Sequence, residues 1–476
     1  MSELRPLRLL NAVENGTVLG AELNTYLTDP GRLAEFTVLF AQRGQAKRIA
    51  NGQTTMTAIT SSLIATNAAF VQATNSNDTI VAAVVESALA MSTVSDSSSV
   101  LTKVSDNPTS WGYFSGSIYY ESHIKKIIAH LSGVDPSLYG STSLLILDPV
   151  SMGDISVSER GMRALVQSLP SVTILAGDST AMALVAADST AISLIAQKTS
   201  IMSTIANNVE AMDEIVARSL ATGIMASTPG AIQAIAANLT AWTNYLNGSY
   251  FSANIKNIVA NLAGLNPGDF SNIAAIFENE AASLAVAGNA KAMQAILADT
   301  TSINALVSSS NLDTVLGSSI AMLEITGNIS IMNTLISDTT AFPILLTSTA
   351  AKSAIFASPT LVATMMAAGS DSLATVQGSS QSATVVNDAL IGTFKTVGVA
   401  GNIIILTGVM GSIVATTLDN TFKGDTQSPH VVALPGTSLS SGPVDINLPF
   451  TNAVWDINSI AATAAGNVTI TYVDFN

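Results

Sequence analysis

Residues 178–197 read DSTAMALVAADSTAISLIAQ, two consecutive decapeptides of nearly the same sequence. In each, a large apolar residue is followed three positions later by a second one, as in Met182 with Val185. Residues three apart lie on one face of a helix, so each decapeptide predicts one short amphipathic helix. The Asp-Ser-Thr between the apolar pairs can accept hydrogen bonds from the free N–H groups that open a helix. The stretch therefore predicts a chain of short helices, each with its own polar cap.

The period of ten extends far beyond these twenty residues. Burying two large side chains yields roughly 3–6 kcal/mol, whereas ordering ten residues costs on the order of 10–20 kcal/mol, so a lone decad cannot fold. We therefore expect a mainly α fold, an elongated solenoid of short helices that share one apolar spine. A continuous coiled coil is the main alternative, but it needs a spacing near 3.5 rather than steps of 3 and 7. The central series is Met162, Val172, Met182, Ile192, Met202, Met212, Ile232 and Trp242.

Two positions break the period in the later part of the chain. One step, to Leu312, is nine residues long, and Lys352 replaces a large apolar residue, which indicates a half-exposed site or a local defect. If the decads, about twenty in all, pair into hairpins at the usual helix spacing, they form a rod roughly 100 Å long. The late pairs are Met293/Ile296, Ile303/Leu306, Leu312/Val315, Met322/Ile325, Met332/Leu335, Phe342/Leu345 and Val362/Met365.

A larger duplication contains the decads. Shifting the sequence by 131 positions superposes an insertion on a second copy of itself and carries neighbouring decads with it, so the repeated unit is a whole subdomain. Trp111, Tyr119, Ile124, Lys125, Ile127, Ala129, Leu131, Gly133 and Pro136 recur as Trp242, Tyr250, Ile255, Lys256, Ile258, Ala260, Leu262, Gly264 and Pro267.

The two ends differ from the middle. Residues 1–50 carry a net charge of about +1, whereas the whole chain carries −15. Asp29-Pro30 predicts a helix start, followed by an apolar stripe of Leu33, Phe36, Leu39 and Phe40. This segment is either an anchor or a cap for the first repeats. From residue 393, β-branched runs such as 403–406 and 468–473, separated by Gly and Pro, predict a small β-rich domain. We therefore divide the chain into 1–50 (anchor or cap), 51–180 and 181–311 (the two repeat subdomains), 312–392 (final decads) and 393–476 (β-rich domain).

Composition limits the environment and the partners. The charge-free stretch Thr396–Leu418 contains five Gly or Asn residues and no flanking basic cluster, which favours strands over a membrane span. The first ten residues contain no apolar run of signal-peptide length. With only 18 basic residues against 33 acids, we expect no nucleic-acid partner. The chain has no cysteine and thus no thiol chemistry.

A search for catalytic chemistry gives no specific site. His123 and His130 lie seven residues apart near Glu121 and could bind a metal, but the second copy has Asn254 and Asn261 in their places. Acid pairs such as Asp148/Asp154 and Glu278/Glu280 could serve as general acid and base, yet 33 acids produce such pairs by chance. We therefore expect no catalytic residue, no metal site and no cofactor, and an enzymatic spike using such a pair is the least favoured hypothesis.

Aromatic side chains cluster only at the two insertions. If exposed, Trp111, Tyr119, Trp242 and Tyr250 could stack on a glycan or anchor a partner, but filling the core is the favoured interpretation.

The repeats themselves resemble those of a known group of proteins. The stretches STAMALVAA at 179–187 and TTMTAI at 54–59 resemble the Ser-Thr-Ala-Met-x-x-Val-Ala-Ala arrays of virion structural proteins of tailed bacteriophages, such as tail fibres and whiskers. The resemblance covers roughly residues 50–380. It implies a non-enzymatic subunit of a virion fibre or appendage that forms homo-oligomers, with trimers expected. Its partners would be other virion proteins and a host surface glycan or receptor. The alternative is a bacterial surface adhesin or carbohydrate-binding solenoid.

Overall fold

The computed structural model describes residues 4–18, 20–27, 29–60, 77–367, 369–378, 380–387, 395–411, 418–424, 427–432, 444–459 and 466–474. The chain divides into two compact units, Met1–Asn254 and Ile255–Asn476, which are described separately below. The five-segment division from the sequence stays a prediction.

The described part contains 33 α-helices and three short 3-10 helices. In the first unit the α-helices are Leu4–Glu14, Gly20–Leu27, Pro30–Phe40, Arg43–Asn51, Gln53–Thr60, Asp78–Val85, Ala88–Ser95, Ser98–Ser105, Pro108–Ser115, Tyr120–Leu131, Thr142–Leu147, Pro149–Val157, Glu159–Leu165, Leu169–Ala176, Ser179–Ala187, Ser189–Ala196, Thr199–Ala206, Val209–Val216, Ser219–Ser227, Pro229–Ala237 and Leu239–Leu246. In the second unit they are Ile255–Leu262, Ile273–Phe277, Glu280–Ala287, Ala290–Leu297, Thr300–Val307, Leu312–Leu316, Ser319–Thr326, Ile329–Ser337, Ala341–Leu345, Thr349–Ala357, Pro359–Met365 and Asp371–Gly378. The 3-10 helices are Pro136–Leu138, Ser252–Asn254 and Pro267–Asp269.

Six strands follow the last helix in the described part of the chain. They form one sheet in the order β1-β6-β2-β5-β3-β4, with all neighbours antiparallel. Strand β2 contains residues 403–406 and β6 contains residues 468–473, whereas residues 412–417 of the charge-free stretch lie outside the described residues. The strands are β1 (Gln381–Asn387), β2 (Lys395–Gly411), β3 (Leu418–Gly424), β4 (Gln427–Val432), β5 (Val444–Ser459) and β6 (Gly466–Asp474).

Each regular decad forms one helix, as the sequence predicts. In the helix Ser179–Ala187, the carboxylate of Asp178 accepts a hydrogen bond from the backbone N–H of Ala181 at 2.8 Å. Such a cap satisfies one of the N–H groups that no helical carbonyl can reach. The apolar pair Met182 and Val185 is buried, and so are the two flanking alanines at 181 and 186. The period prediction is confirmed, and the buried face is wider than the two large residues alone.

The helices stack three to a turn, so the hairpin arrangement considered above is wrong. The axes of Leu169–Ala176 and Ser179–Ala187 bend by 103°, and the latter helix packs against the third one along, Val209–Val216. Side chains 31 residues apart accordingly meet, as where Asn244 Nδ2 donates to Asp213 Oδ1 at 2.6 Å. Only Asp188 separates two consecutive helices, and one residue is shorter than the loop of about two to five residues that a helix hairpin needs. The rod length based on hairpins therefore does not apply.

The helix of the insertion ends in the same way in both copies. Gly133 and Gly264 follow the helices Tyr120–Leu131 and Ile255–Leu262 in the left-handed conformation, with φ of 76° and 73°. Glycine adopts this conformation without steric cost and ends a helix there. The recurring lysine has an equally local role, because Lys125 Nζ donates to the carbonyl of Tyr139 at 2.6 Å, and Lys256 Nζ does so to that of Phe270 at 3.1 Å.

Two further sequence predictions are confirmed. Asp29 caps the helix Pro30–Phe40 by accepting from the N–H of Arg32 at 3.0 Å, and Leu33, Phe36, Leu39 and Phe40 are buried. Lys352 is half-buried, in agreement with the interrupted apolar series. Whether the first fifty residues anchor the protein or cap its repeats stays a prediction.

Candidate functional site

One stacked helix pair of the second unit is splayed apart. We call the helices Thr300–Val307 and Ile329–Ser337 the open pair, because they do not pack closely although each is the other's neighbour one turn away. The pairs on either side of them, which begin with Ala290–Leu297 and Leu312–Leu316, are packed. The open pair leaves a cleft of about 620 Å³ at the surface.

The cleft lies at the nine-residue step in the sequence. The helix Leu312–Leu316 that follows the step has only five residues, and residues 308–311 form the connection before it. Ser309 Oγ and Asn311 Nδ2 both donate to the carbonyl oxygen of Phe277, each at 2.8 Å, which ties this connection to the preceding turn. The nine-residue step and the open pair thus lie at the same point of the stack.

The lining of the cleft is polar and nearly uncharged. Asp338 is the only ionisable residue in it, and its Oδ1 accepts the backbone N–H groups of Thr340 at 2.9 Å and Ala341 at 2.8 Å. Asn333 Oδ1 lies 2.8 Å from Thr364 Oγ1, so one side of its amide is held by a neighbouring helix. The cleft offers hydroxyl and amide groups that can both donate and accept hydrogen bonds. The lining residues are Asn304, Val307, Ser308, Ser330, Asn333, Thr334, Ser337 and Asp338.

The corresponding helices of the first unit are packed together. We call Leu169–Ala176 and Thr199–Ala206 the closed pair; they occupy the same places in the duplicated sequence. Thr173 corresponds to Asn304, and, after correction for the nine-residue step, Ser203 corresponds to Asn333. The same scaffold is thus closed in one copy and open in the other. The sequence signal was the nine-residue step, but it did not by itself indicate a cleft.

The two tryptophans of the insertions lie in the core. Trp111 is 4% exposed and stacks on Phe114 with ring centroids 5.9 Å apart, and Trp242 is 1% exposed and stacks on Tyr245 at 6.4 Å. Neither ring offers a face to a sugar or a protein partner. Tyr119 is half-buried and Tyr250 is 36% exposed, so any partner contact of this aromatic set falls to these two tyrosines. That contact stays a prediction.

Each aromatic cluster contains one buried, hydrogen-bonded tyrosine hydroxyl, but it lies at a different position in each copy. Tyr120 Oη donates to the carbonyl of Ala164 at 2.9 Å, whereas the equivalent residue in the second copy is Phe251. In the second copy the hydroxyl belongs to Tyr245, which donates to the carbonyl of Thr222 at 2.9 Å. Burial raises the pKa of Tyr120 and of Tyr245. Both phenols therefore stay protonated donors, and they serve the core rather than acid–base chemistry.

The two histidines of the first insertion lie on the helix Tyr120–Leu131. Within the described residues, no group of three or more His, Cys, Asp or Glu side chains could hold a metal ion. Burial lowers the pKa of both His123 and His130; Lys126 lowers each further, while Asp96 opposes the shift. Glu121 is engaged elsewhere, since it accepts a hydrogen bond from Ser168 Oγ at 2.7 Å.

The acid pairs have structural roles or lie at the surface. Asp148 caps the helix Pro149–Val157 and accepts hydrogen bonds at 2.9 Å from the Ser151 backbone N–H and the Tyr139 hydroxyl. The Ser151 N–H and then the Tyr139 hydroxyl lower the pKa of Asp148, so it is held as a carboxylate. Asp154, Glu278 and Glu280 are exposed.

An apolar surface distinguishes the first insertion from the second. Five large apolar side chains are exposed in the first copy, and each is replaced by a small or acidic residue at the equivalent position of the second copy. Because the scaffold is shared, folding alone does not require these apolar residues. They are Leu138, Leu144, Leu147, Val150 and Val157, which correspond to Asp269, Ala275, Glu278, Ala281 and Gly288.

Among the described residues, no individual helix is both long and apolar enough to cross a bilayer, although four bent helix pairs meet the length and composition criterion. No family model and no curated protein matches the chain.

Proposed function

We propose that the protein is a non-enzymatic structural subunit of a bacteriophage virion fibre or appendage. In this proposal the helical stack is an elongated solenoid and residues 393–476 form a β-rich domain at its end. The chain associates with itself as a trimer, docks to other virion proteins, and resides in the virion after assembly in the host cytoplasm.

One observation carries this proposal: the decads of each unit form a stack of short helices, three to a turn. Met182, Met202 and Met212, for example, are at most 1% exposed. Apart from the open pair, the helices of the regular decads pack against the helix one turn away, so the stack can lengthen by adding decads without any change in the design. That property suits a spacer or scaffold. The resemblance of the repeats to virion arrays supplies the particular setting.

Labelling of intact particles tests this function. Antibodies against residues 149–246 should decorate an appendage of phage particles purified from the producing bacterium, and mass spectrometry of these particles should recover the chain. Particles that lack the chain would contradict the proposal. Mass photometry of the purified protein should give three times 48.8 kDa; a mass of 48.8 kDa would contradict the trimer alone.

The sequence suggested carbohydrate binding through the aromatic residues of the insertions, but the structure supports this alternative through the polar cleft instead. The tryptophans of the insertions are buried, whereas the open pair leaves a polar cleft. A structural subunit that also binds a glycan would combine both functions.

A further inference from the structure

We propose that the cleft of the open pair binds an uncharged saccharide. The proposal goes beyond the structural role above and can hold or fail independently of it. The cleft is a depression that is broadly open to solvent, and its volume of about 620 Å³ is large enough to hold a small molecule.

The charge of the lining selects against ionic ligands. No Lys, Arg or His lines the cleft, so phosphates, carboxylates and nucleic acids find no cation there. The only carboxylate, that of Asp338, already caps the following turn through two backbone N–H groups. A single carboxylate with this role does not make a cation site, since metal ions take several ligands. An uncharged ligand remains.

The polarity of the lining selects against apolar ligands. Val307 is the only apolar residue among the eight that line the cleft, and it is 7% exposed. The other groups are three serines, one threonine, two asparagines and Asp338. Sugar hydroxyls both donate and accept hydrogen bonds, and so do serine, threonine and asparagine side chains. The cleft therefore matches a polyhydroxylated molecule.

Some of these groups are held in place while others are free to bind. Ser308 Oγ donates to the Asn304 carbonyl at 2.7 Å, and Thr334 Oγ1 donates to the Ser330 carbonyl at 3.1 Å, which leaves their oxygen lone pairs available as acceptors. Thr364 holds one side of the Asn333 amide. The Asn304 amide has no hydrogen bond within the described residues, although its backbone carbonyl is engaged. Asn304 and Asn333 line the cleft from its two helices, so a ligand between them can hydrogen-bond to both.

The cleft does not depend on disorder of its walls. Beneath it, Leu306 on one helix and Met332 and Leu335 on the other are fully buried. Binding therefore does not have to order an unfolded segment. Without an aromatic platform in the lining, however, we expect weak binding of a single sugar, with dissociation constants of about 1–20 mM.

Ligand-observed NMR on the full chain tests the proposal. The probes are the methyl glycosides of glucose, galactose, mannose and N-acetylglucosamine, with methyl glucuronide as a charged comparison. At least one neutral glycoside should give saturable signals, and methyl glucuronide should bind at least tenfold more weakly than that glycoside. The double variant Asn304→Ala/Asn333→Ala should weaken binding at least tenfold, and Ser330→Trp, which fills the mouth of the cleft, should abolish it.

The closed pair supplies a matched control. The double variant Thr173→Ala/Ser203→Ala changes the equivalent positions and should bind as the unmodified chain does. Circular dichroism and thermal unfolding show whether each variant is folded. The proposal is overturned if none of the four neutral glycosides binds at 100 mM, a deliberately high concentration. It is also overturned if binding survives both the Asn304→Ala/Asn333→Ala and the Ser330→Trp changes, because the sugar then binds elsewhere.

Discussion

The closed pair and the open pair occupy equivalent positions of the duplicated sequence, yet the two open helices are separated by a cleft. The interior does not distinguish them, because Met202 in the closed pair and Met332 in the open pair are both 0% exposed. One difference between them is the connection before Leu312, which is one residue shorter in the open copy. A periodic array can therefore acquire a surface cleft by changing a connection while its apolar spine is kept.

A second comparison between the copies concerns the caps. Ser158 in the first copy and Asn289 in the second each accept a hydrogen bond from their own helix and donate one to the turn before. Ser158 Oγ donates to the carbonyl of Leu131 at 2.8 Å, and Asn289 Nδ2 donates to that of Leu262 at 2.7 Å. Serine and asparagine can do both, whereas an ionised aspartate only accepts. A serine or asparagine cap can therefore tie a turn to its neighbour, whereas an ionised aspartate cap cannot.

The largest expected effect comes from the buried methionines of the two pairs. Met202→Ala and Met332→Ala each leave a cavity and should lower the free energy of unfolding by about 2–5 kcal/mol. Met332→Ala should be the less costly, because the splayed helices can close on the vacated volume. Urea unfolding followed by circular dichroism measures both. An equal or larger cost for Met332→Ala would show that the open pair cannot relax.

The next effect distinguishes the two kinds of cap. Asn289→Asp keeps the acceptor for the Ala292 N–H but loses the donor to the Leu262 carbonyl, so it should lower the free energy of unfolding by about 1–3 kcal/mol at neutral pH. Part of this loss should return near pH 3, where the protonated acid donates again. The control is Asn208→Asp. The Asn208 side chain accepts from the Ala211 N–H at 2.9 Å and donates no hydrogen bond to the turn before within the described residues, so this change should alter stability by less than about 0.5 kcal/mol. Equal losses in both variants would disprove the role of the inter-turn hydrogen bond.

Removing either of the two buried tyrosine hydroxyls should lower stability by a smaller amount, which should be the same for both. Tyr120→Phe and Tyr245→Phe each remove the donor to a buried carbonyl and should lower the free energy of unfolding by about 1–1.5 kcal/mol. Tyr113→Phe, at an exposed position, serves as the control and should stay within about 0.5 kcal/mol of the unmodified chain. Thermal unfolding of the three variants compares them. If one hydroxyl proved dispensable, the two clusters would not be equivalent.

The smallest expected effect is a dependence of stability on pH, and it comes from the two histidines of the first copy. Burial lowers the pKa of His123 and His130 in the folded state, so the unfolded chain binds more protons as the pH falls through the ordinary imidazole pKa of about 6.5. Their contribution is therefore favourable above that pH and is lost as the pH decreases. His123→Asn/His130→Asn, which copies Asn254 and Asn261, should flatten the dependence of the melting temperature on pH between about 7.5 and 5.5. An unchanged slope would assign the acid sensitivity to other groups.

Much of the local structure was predictable from the sequence. Asp178, Met182 and Val185 already define a capped helix and its buried face, and Asp29-Pro30 defines another, because caps and i to i+3 contacts involve residues close in the chain. The site was less predictable. The apolar and aromatic composition of the insertion fits both a core and a surface, and only packing shows that Trp111 and Trp242 are buried. The cleft residues Asn304 and Asn333 belong to no sequence motif. Serines and asparagines are common in this chain, and only the separation of two helices places these particular ones in a cleft.

The sequence by itself determined one helix per decad, the caps that start these helices and the duplication of a 131-residue subdomain. Each of these depends on hydrogen bonds and apolar spacing within about one decad, or on direct identity between copies. The tertiary structure decided that three helices make a turn and that the open pair stands apart. Those features depend on the angle at each short connection and on contacts between residues about thirty positions apart, which no local pattern specifies.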